Sequence, residues 1–496
     1  MQEIQSQRLT LWVDVEDFFL YFEGNPRPSG IQRLVFETFK VLPQRARLAA
    51  ADPRIAFVRH TTDSALLTEV TFAEIAAVFE GKATATAQGT QQGTARVQPS
   101  PPKVHEGLIR PLRRWLLDRI WKMPPEISAV LLRAGVLQMA ALRQFRQLRR
   151  PKVQHLPEAT PAEPPVDGTA GLAVRPGDIL LILGAPWAGP AYGTFLQQVR
   201  GRYPLEAALL LYDLIPLRRP EWCAADLVEK FGQWLRSTLP QCSRLMAISK
   251  ATAADVEAYA REVGLTLAAP VQPIPIGTDF GLPLDAGMNE APARGLPAPG
   301  SYILFVSTME ARKNHAMLFK VWRRLVSELP SEKVPTLVFA GRVGWLVSDL
   351  MQQLENTDWL DGKIRLIRDP TDTELAALYQ GCLFTVFPSL FEGWGLPVSE
   401  SLGRGQPCLT SDRTSLPESG GKLSRYFDPE NLDDAYRAVR AIIDDRAGLE
   451  AWRAEVRRDY RHTPWEETAD SILACCVAGA NQPAAPVKAP GKAVAL

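Results

Sequence analysis

Short apolar runs, each closed by glycine or a polar residue and separated by stretches with helical spacing, recur along most of the chain. Residues 9–15, 54–59, 178–183, 207–211 and 244–248 read as strands in the first half, and 302–306, 338–340, 365–367 and 382–387 in the second. Brief, nearly continuous apolar runs alternating with helical patterns mark strands buried on both faces, so the pattern predicts an α/β protein with parallel sheets. Such sheets place their sites at the carboxyl ends of the strands.

The pattern breaks in several places. Residues 81–93 are low in complexity and residues 99–102 read Pro-Ser-Pro-Pro, which predicts a mobile link. Residues 103–152 carry twelve Lys/Arg against three Asp/Glu, with apolar positions at helical spacing. Two basic amphipathic helices follow, suited either to an anionic membrane surface or to packing on the first lobe with arginines in water. A Pro/Ala/Glu-rich linker spans 158–165, a Pro/Ala/Gly-rich hinge spans 282–300, residues 452–474 read as helical, and 481–496 as a disordered tail.

With 46% hydrophobic residues the chain can build sizeable cores, and a net charge of +1 gives no global field for nucleic acid. The start lacks an apolar leader and no uncharged apolar run reaches about 18 residues, while the six cysteines lack metal-ligand spacing. A reduced, cytoplasmic protein is the expectation.

Candidate chemistry concentrates at residues 386–400, Val-Phe-Pro-Ser-Leu-Phe-Glu-Gly-Trp-Gly-Leu-Pro-Val-Ser-Glu. A strand end, a glycine turn at Gly393–Gly395 and Pro397 in a first helical turn aim backbone N–H groups into a crevice, where a phosphate or sugar hydroxyl can be held. Glu392 and Glu400 flank the loop, and carboxylates so placed suit neutral hydroxyls better than phosphate. Arg312 and Lys313, adjacent at a strand-to-helix junction, suit a diphosphate. Asp213 ends an apolar strand and either serves an acceptor or donor hydroxyl or caps its own loop. Ser29 with Gln32 forms a capping-box pattern at a second glycine turn, Gly30 to Arg33. His315 reads as a helix residue.

The phrase Pro388-Ser389-Leu390-Phe391-Glu392-Gly393-Trp394-Gly395-Leu396-Pro397, with Glu392 and Glu400 in a Glu-x7-Glu spacing, resembles the signature of retaining glycosyltransferases of family 4. Glu310-Ala311-Arg312-Lys313-Asn314, the stretch 411–418 and Tyr212-Asp213-Leu214-Ile215-Pro216 resemble further motifs of that family, with Tyr212 where histidine is common. The resemblance implies a GT-B fold: two Rossmann-like lobes with a cleft between, here with a basic helical insertion in the N-terminal lobe. It divides the chain into an acceptor-side lobe (1–281, with the insertion at 82–165), the hinge (282–300), a nucleotide-sugar lobe (301–450), a helix crossing back (451–480) and the tail (481–496).

It also implies roles. Lys313 and Arg312 meet the diphosphate, Glu392 orients the donor sugar, Glu400 holds the ribose and Asp213 serves the reacting groups. Ser307 and Thr308 stand where many relatives carry Gly-Arg, so their hydroxyls share the phosphate contact. Gly341 and Arg342 pass beside the nucleotide, the backbone of Gly393, Trp394, Gly395 and Leu396 faces the donor, and Gly30 and Arg33 lie on the acceptor side. The implied reaction moves a hexose from a nucleoside diphosphate sugar to a hydroxyl of a glycan or lipid-linked glycan, without metal or other cofactor. GDP-mannose is favoured by the Gly-Ile-Gln-Arg start. The rivals are a non-catalytic nucleotide-sugar-binding module and a GT-B epimerase or phosphorylase.

Overall fold

The computed structural model describes residues 8–25, 27–61, 64–91, 172–188, 192–279 and 295–477. The basic insertion at 103–152, the linker at 158–165, residues 282–294 of the hinge and the tail at 481–496 lie outside these.

The first lobe is a seven-stranded sheet in the order β3-β2-β1-β4-β5-β6-β7. Its strands are β1 (Thr10–Asp14), β2 (Arg54–Thr61), β3 (Ser64–Val70), β4 (Ile179–Ile182), β5 (Glu206–Leu211), β6 (Arg244–Ala247) and β7 (Gln272–Pro273), and only β3 runs antiparallel, against β2. The second lobe is a six-stranded parallel sheet in the order β10-β9-β8-β11-β12-β13. It comprises β8 (Tyr302–Val306), β9 (Thr336–Ala340), β10 (Ile364–Ile367), β11 (Thr385–Phe387), β12 (Cys408–Ser411) and β13 (Arg425–Phe427). Registers such as Tyr302↔Thr336 and Ala208↔Arg244 align the carboxyl ends of the strands. The expected α/β, GT-B arrangement of two Rossmann-like lobes is what the chain adopts.

Among the described residues the helices of eight residues or more are α1 (Glu16–Gly24), α2 (Gly30–Leu48), α3 (Phe72–Gln91), α4 (Tyr192–Arg202), α5 (Ala225–Thr238), α6 (Lys250–Glu262), α7 (His315–Glu328), α8 (Ser348–Asn356), α9 (Asp372–Gly381), α10 (Leu396–Gly403), α11 (Leu432–Asp444), α12 (Arg446–Asp459) and α13 (Trp465–Val477). β1 and β4 are buried at every position because apolar layers cover both faces of the sheet. Asp178 ties these two strands together, its buried carboxylate accepting from Thr10 N, the Trp12 indole and Arg175 N at 2.9–3.0 Å.

α13 adds Trp465, Ala469, Ile472 and Leu473 to the first lobe's core. Gly277 makes room for it, since a Cβ there would lie 2.3 Å from the Trp465 ring.

Three expectations need correction. The run from Gly81 is not a link at its start: α3 continues to Gln91, because Ala-rich sequence carries high helix propensity. Residues 452–474 are not one helix either, since α12 stops at Asp459 and α13 starts at Trp465. Pro464, which has no N–H to continue a helix, stands directly before that restart. Ser29 does cap α2, but the reciprocal bond differs. Its hydroxyl accepts from Ile31 N and donates to the Gln32 amide oxygen, leaving that side chain facing the hydroxyl.

Candidate active site

After β8 the chain makes a short 3-10 turn, Ala311–Lys313, and then Asn314 takes a left-handed conformation, φ +61°. Asparagine tolerates that region. Its amide fixes the turn by donating to Pro429 O at 2.9 Å and Pro388 O at 3.3 Å. The turn thereby presents Arg312 and Lys313 to the loop after β11.

There Glu392 lies between them. Its carboxylate is 2.8 Å from Arg312 Nη1 and 2.6 Å from Lys313 Nζ, and Ser389 Oγ donates to it at 2.5 Å. Arg312 also pairs with buried Glu310 at 2.7 Å and donates to Phe391 O at 2.5 Å. Thr414 and Ser415 hold the backbone of Glu392, its N–H reaching Thr414 Oγ1 at 3.0 Å and its carbonyl accepting from Ser415 Oγ at 2.9 Å.

Burial alone would raise the Glu392 carboxyl, but the charges of Arg312 and Lys313 and the two side-chain hydrogen bonds outweigh it and hold the group at about 2. Burial, reinforced by the neighbouring Arg312 cation, lowers the Lys313 ammonium despite the pull of Glu392. His315 is pushed to about 3 by burial and by Lys313, and is therefore neutral. Its ring packs on Phe305 and its Nε2 sits 3.3 Å from Ser307 Oγ, as befits a helix residue.

The first lobe meets this loop directly. A Cβ on Gly393 would lie 2.0 Å from the Tyr212 carbonyl oxygen and 3.2 Å from Asp213 Cβ. Asp213 Oδ1 accepts from Ile215 N at 3.0 Å, so the residue caps its turn while facing the cluster. Burial raises its carboxyl against the opposing charge of Arg312. Tyr212, in histidine's expected place, turns inward, donating to Leu183 O at 2.5 Å. Trp394 packs against the first lobe's core and donates to Ser399 Oγ at 3.1 Å.

Across the same seam Glu418 accepts from the N–H groups of Lys250 and Ala251, both at 2.8 Å, at the amino end of α6. Thr252 Oγ1 reaches Gly393 O at 3.4 Å.

Arg312, Lys313, Glu392 and Asp213 thus share one charged cluster, with the backbone of Gly393–Leu396 beside it. Gly395, φ +99°, opens α10, and Gly341, φ +150°, lies against β8, where a Cβ would be 2.1 Å from Ser307 O. Ser307 and Thr308 stand at the end of β8. Glu400 is about one turn into α10 and accepts from Tyr379 OH at 2.9 Å. Gly30 opens α2 opposite Leu396, whose Cδ1 would be 3.3 Å from a Cβ there.

The remaining two lie at the rim: Arg33 pairs with Asp372 at 3.1 Å, and Arg342 approaches Asp369 at 3.9 Å. Glu310, Ser389, Thr414, Ser415 and Glu418 also belong to this arrangement, and no local sequence pattern assigns them a role. Their hydroxyl and carboxylate chemistry was the available signal. Among the described residues no cluster of three or more His, Cys, Asp or Glu is disposed to hold a metal ion.

Residues 289–459 match the family model described as Glycosyl transferases group 1. The chain is 30% identical over 279 residues to a serotype-specific mannosyltransferase WbdA of Escherichia coli, a match covering 54% of this chain and 33% of that protein. It is 32% identical over 165 residues to the O-antigen chain mannosyltransferase B of Escherichia coli, covering 33% of this chain and 42% of the relative. It also aligns with the solved structure of a UDP-forming α,α-trehalose-phosphate synthase from Burkholderia xenovorans at 15% identity and a TM-score of 0.47, over 61% of this chain and 73% of the other. The chain thus spans about a third of the length of the first relative and under half of the second. Over residues 289–459 it carries a glycosyl transferases group 1 domain with sequence kinship to mannosyltransferases.

Proposed function

We propose that the protein is a retaining hexosyltransferase that moves mannose from GDP-mannose to a hydroxyl of a glycan or lipid-linked glycan during polysaccharide assembly. The carrying observation is the buried Arg312–Glu392–Lys313 triad inside the group 1 domain, facing Asp213 of the other lobe across Gly393. The mannosyltransferase relatives support the sugar.

The triad suits a charged leaving group. An arriving diphosphate competes with Glu392 for Arg312 and Lys313, which supply preorganised positive charge where the leaving group gains negative charge. Glu392, released on one side, accepts hydrogen bonds from the sugar's hydroxyls and favours its oxocarbenium character. Ser307, Thr308, Gly341 and the Gly393–Leu396 backbone line the path of the phosphates, Arg342 lies towards the base, and Glu400 serves the ribose. Gly30 and Arg33 border the acceptor.

In the step itself the acceptor oxygen bonds to the anomeric carbon on the face from which the phosphate oxygen departs, and the acceptor proton passes to that phosphate oxygen. No metal is assigned, so turnover persists in chelator. Among the described residues no helix is long and apolar enough to cross a membrane. Peripheral contact with an anionic membrane is assigned to residues 103–152, and their deletion abolishes liposome co-sedimentation.

Turnover of GDP-mannose with Lys313→Ala tests the reading. Loss of a donor to developing charge costs on the order of 2–4 kcal/mol in barrier, a fall in kcat of about 30-fold to 10³-fold. Unchanged turnover refutes it. Binding of GDP-mannose without transfer to any glycan favours the non-catalytic module instead.

A further inference from the structure

The amino end of α10 faces the candidate site, and its other end borders a separate pocket of about 500 Å³. Among the described residues, six polar side chains line that pocket: Gln380, Arg404, Gln406, Arg457, Tyr460 and His462. The described lining contains neither Asp nor Glu. Two arginines and a histidine therefore converge with no carboxylate among the described residues of the lining.

The surroundings bring them together. A Cβ on Gly403 would lie 2.4 Å from the His462 ring, and one on Gly405, φ +69°, would lie 2.6 Å from Arg457 Cγ. The glycines on either side of Arg404 thus clear the space that lets the Arg457 and His462 side chains in. Arg404 itself lies over the Tyr379 ring at 5.4 Å, and its Nη1 is buried without a hydrogen-bond partner among the described residues.

Charge pairing sharpens the contrast. On α12, Arg453 pairs with Glu450 and Arg458 with Asp459 at 2.7 Å, whereas neither Arg404 nor Arg457 has an ion-pair partner among the described residues. A buried guanidinium nitrogen left unpaired costs free energy, and like charges gathered without a counter-charge repel. An anion relieves both. Phosphate is the anion whose several oxygens match the fork of arginine donors, and the volume lies in the range of small-molecule sites.

We infer that this pocket is a second binding site, for a soluble phosphate ester or diphosphate, distinct from the donor site. It has a route to that site. Arg404 stacks on the ring whose hydroxyl is held by Glu400, one turn earlier on α10. Tyr460 and His462 belong to the segment between α12 and α13, where Thr463 N donates to Thr278 Oγ1 of the first lobe at 3.0 Å. Occupancy thus bears on both the Glu400 helix and the crossing between the lobes.

The test is calorimetric titration of inorganic pyrophosphate, and it does not depend on the transferase reading. In a protein carrying Arg312→Ala and Lys313→Ala, one site remains. Adding Arg404→Gln and Arg457→Gln weakens that site at least tenfold. Should the fourfold variant fold poorly, Arg457→Gln alone, at an exposed position, lowers the affinity at least threefold. Absence of binding in the Arg312/Lys313 variant, or binding indifferent to Arg457→Gln, overturns the inference. Vesicles containing phosphatidic acid form the control arm. If they retain the Arg312/Lys313 variant through Arg404 and Arg457 while pyrophosphate does not bind it, the site takes a lipid headgroup and the proposal fails.

Discussion

Gly393→Ala is the sharpest perturbation of the seam between the lobes. The added methyl carbon would stand 2.0 Å from the carbonyl oxygen of Tyr212, which is backbone at the end of β5 and has no rotamer with which to withdraw. Non-bonded carbon and oxygen need more than 3 Å, so the lobes must separate locally by about 1 Å or the loop must shift as far. Misplacing reacting groups by that distance costs on the order of 10²-fold in rate. Every residue assigned to hold the diphosphate and ribose lies on the second lobe, so donor affinity survives within a few-fold. Each lobe has its own core, so thermal stability changes little. Steady-state kinetics with GDP-mannose, together with calorimetric donor binding, read the two effects apart. A variant with kcat within threefold of wild type refutes the closure argument. One that loses donor affinity while keeping kcat shows that the phosphate contact of the Gly393 backbone, and not lobe closure, is what the methyl group disturbs.

Three further changes address other parts of the molecule. Glu418→Ala removes a carboxylate from two backbone N–H groups at the amino end of α6, interactions worth about 1–3 kcal/mol when charge-assisted; the closed arrangement weakens by that amount, and small-angle scattering with donor present detects a larger radius of gyration. Burial lifts the Asp17 carboxyl to about 7, where Ala185 N donates to it at 2.5 Å. The folded state therefore binds the extra proton, so this group's contribution to stability is full below about pH 4 and declines as pH rises to about 7. Asp17→Asn keeps an acceptor and removes that slope, which urea unfolding at pH 5 and pH 8 measures; an unaltered pH dependence contradicts the assignment. Trp465→Ala empties a buried position in the first lobe and costs about 3–5 kcal/mol, seen as a lower unfolding midpoint.

The sheets were legible because buried parallel strands are near-continuous apolar runs, and β1, β4, β5, β6, β8 and β9 are of that kind. β3 escaped notice. It is an antiparallel edge strand, Ser-Ala-Leu-Leu-Thr-Glu-Val, with exposed Leu66 beside buried Leu67, so its apolar pair does not alternate cleanly. Over 452–474 the apolar spacing persists on both sides of Pro464, so periodicity alone does not reveal the break between α12 and α13.

At the candidate site the residue types were legible, but the partnerships were not. Arg312 and Glu392 are 80 positions apart, and Glu418 and Lys250 are 168 apart. No local pattern encodes such a pairing. The glycines show the same divide. Gly341 and Gly393 announce close backbone approach in any reading of the sequence, yet the atoms that exclude a side chain there are protein carbonyls, Ser307 O and Tyr212 O, both under 2.2 Å from a notional Cβ. The loop that follows β11 therefore answers to two demands at once: it must leave its amides open to a ligand, and it must let the other lobe approach. A glycine signature satisfies either demand, so its presence in sequence cannot apportion them. Separating donor affinity from turnover in Gly393→Ala can, because only the second demand requires the first lobe.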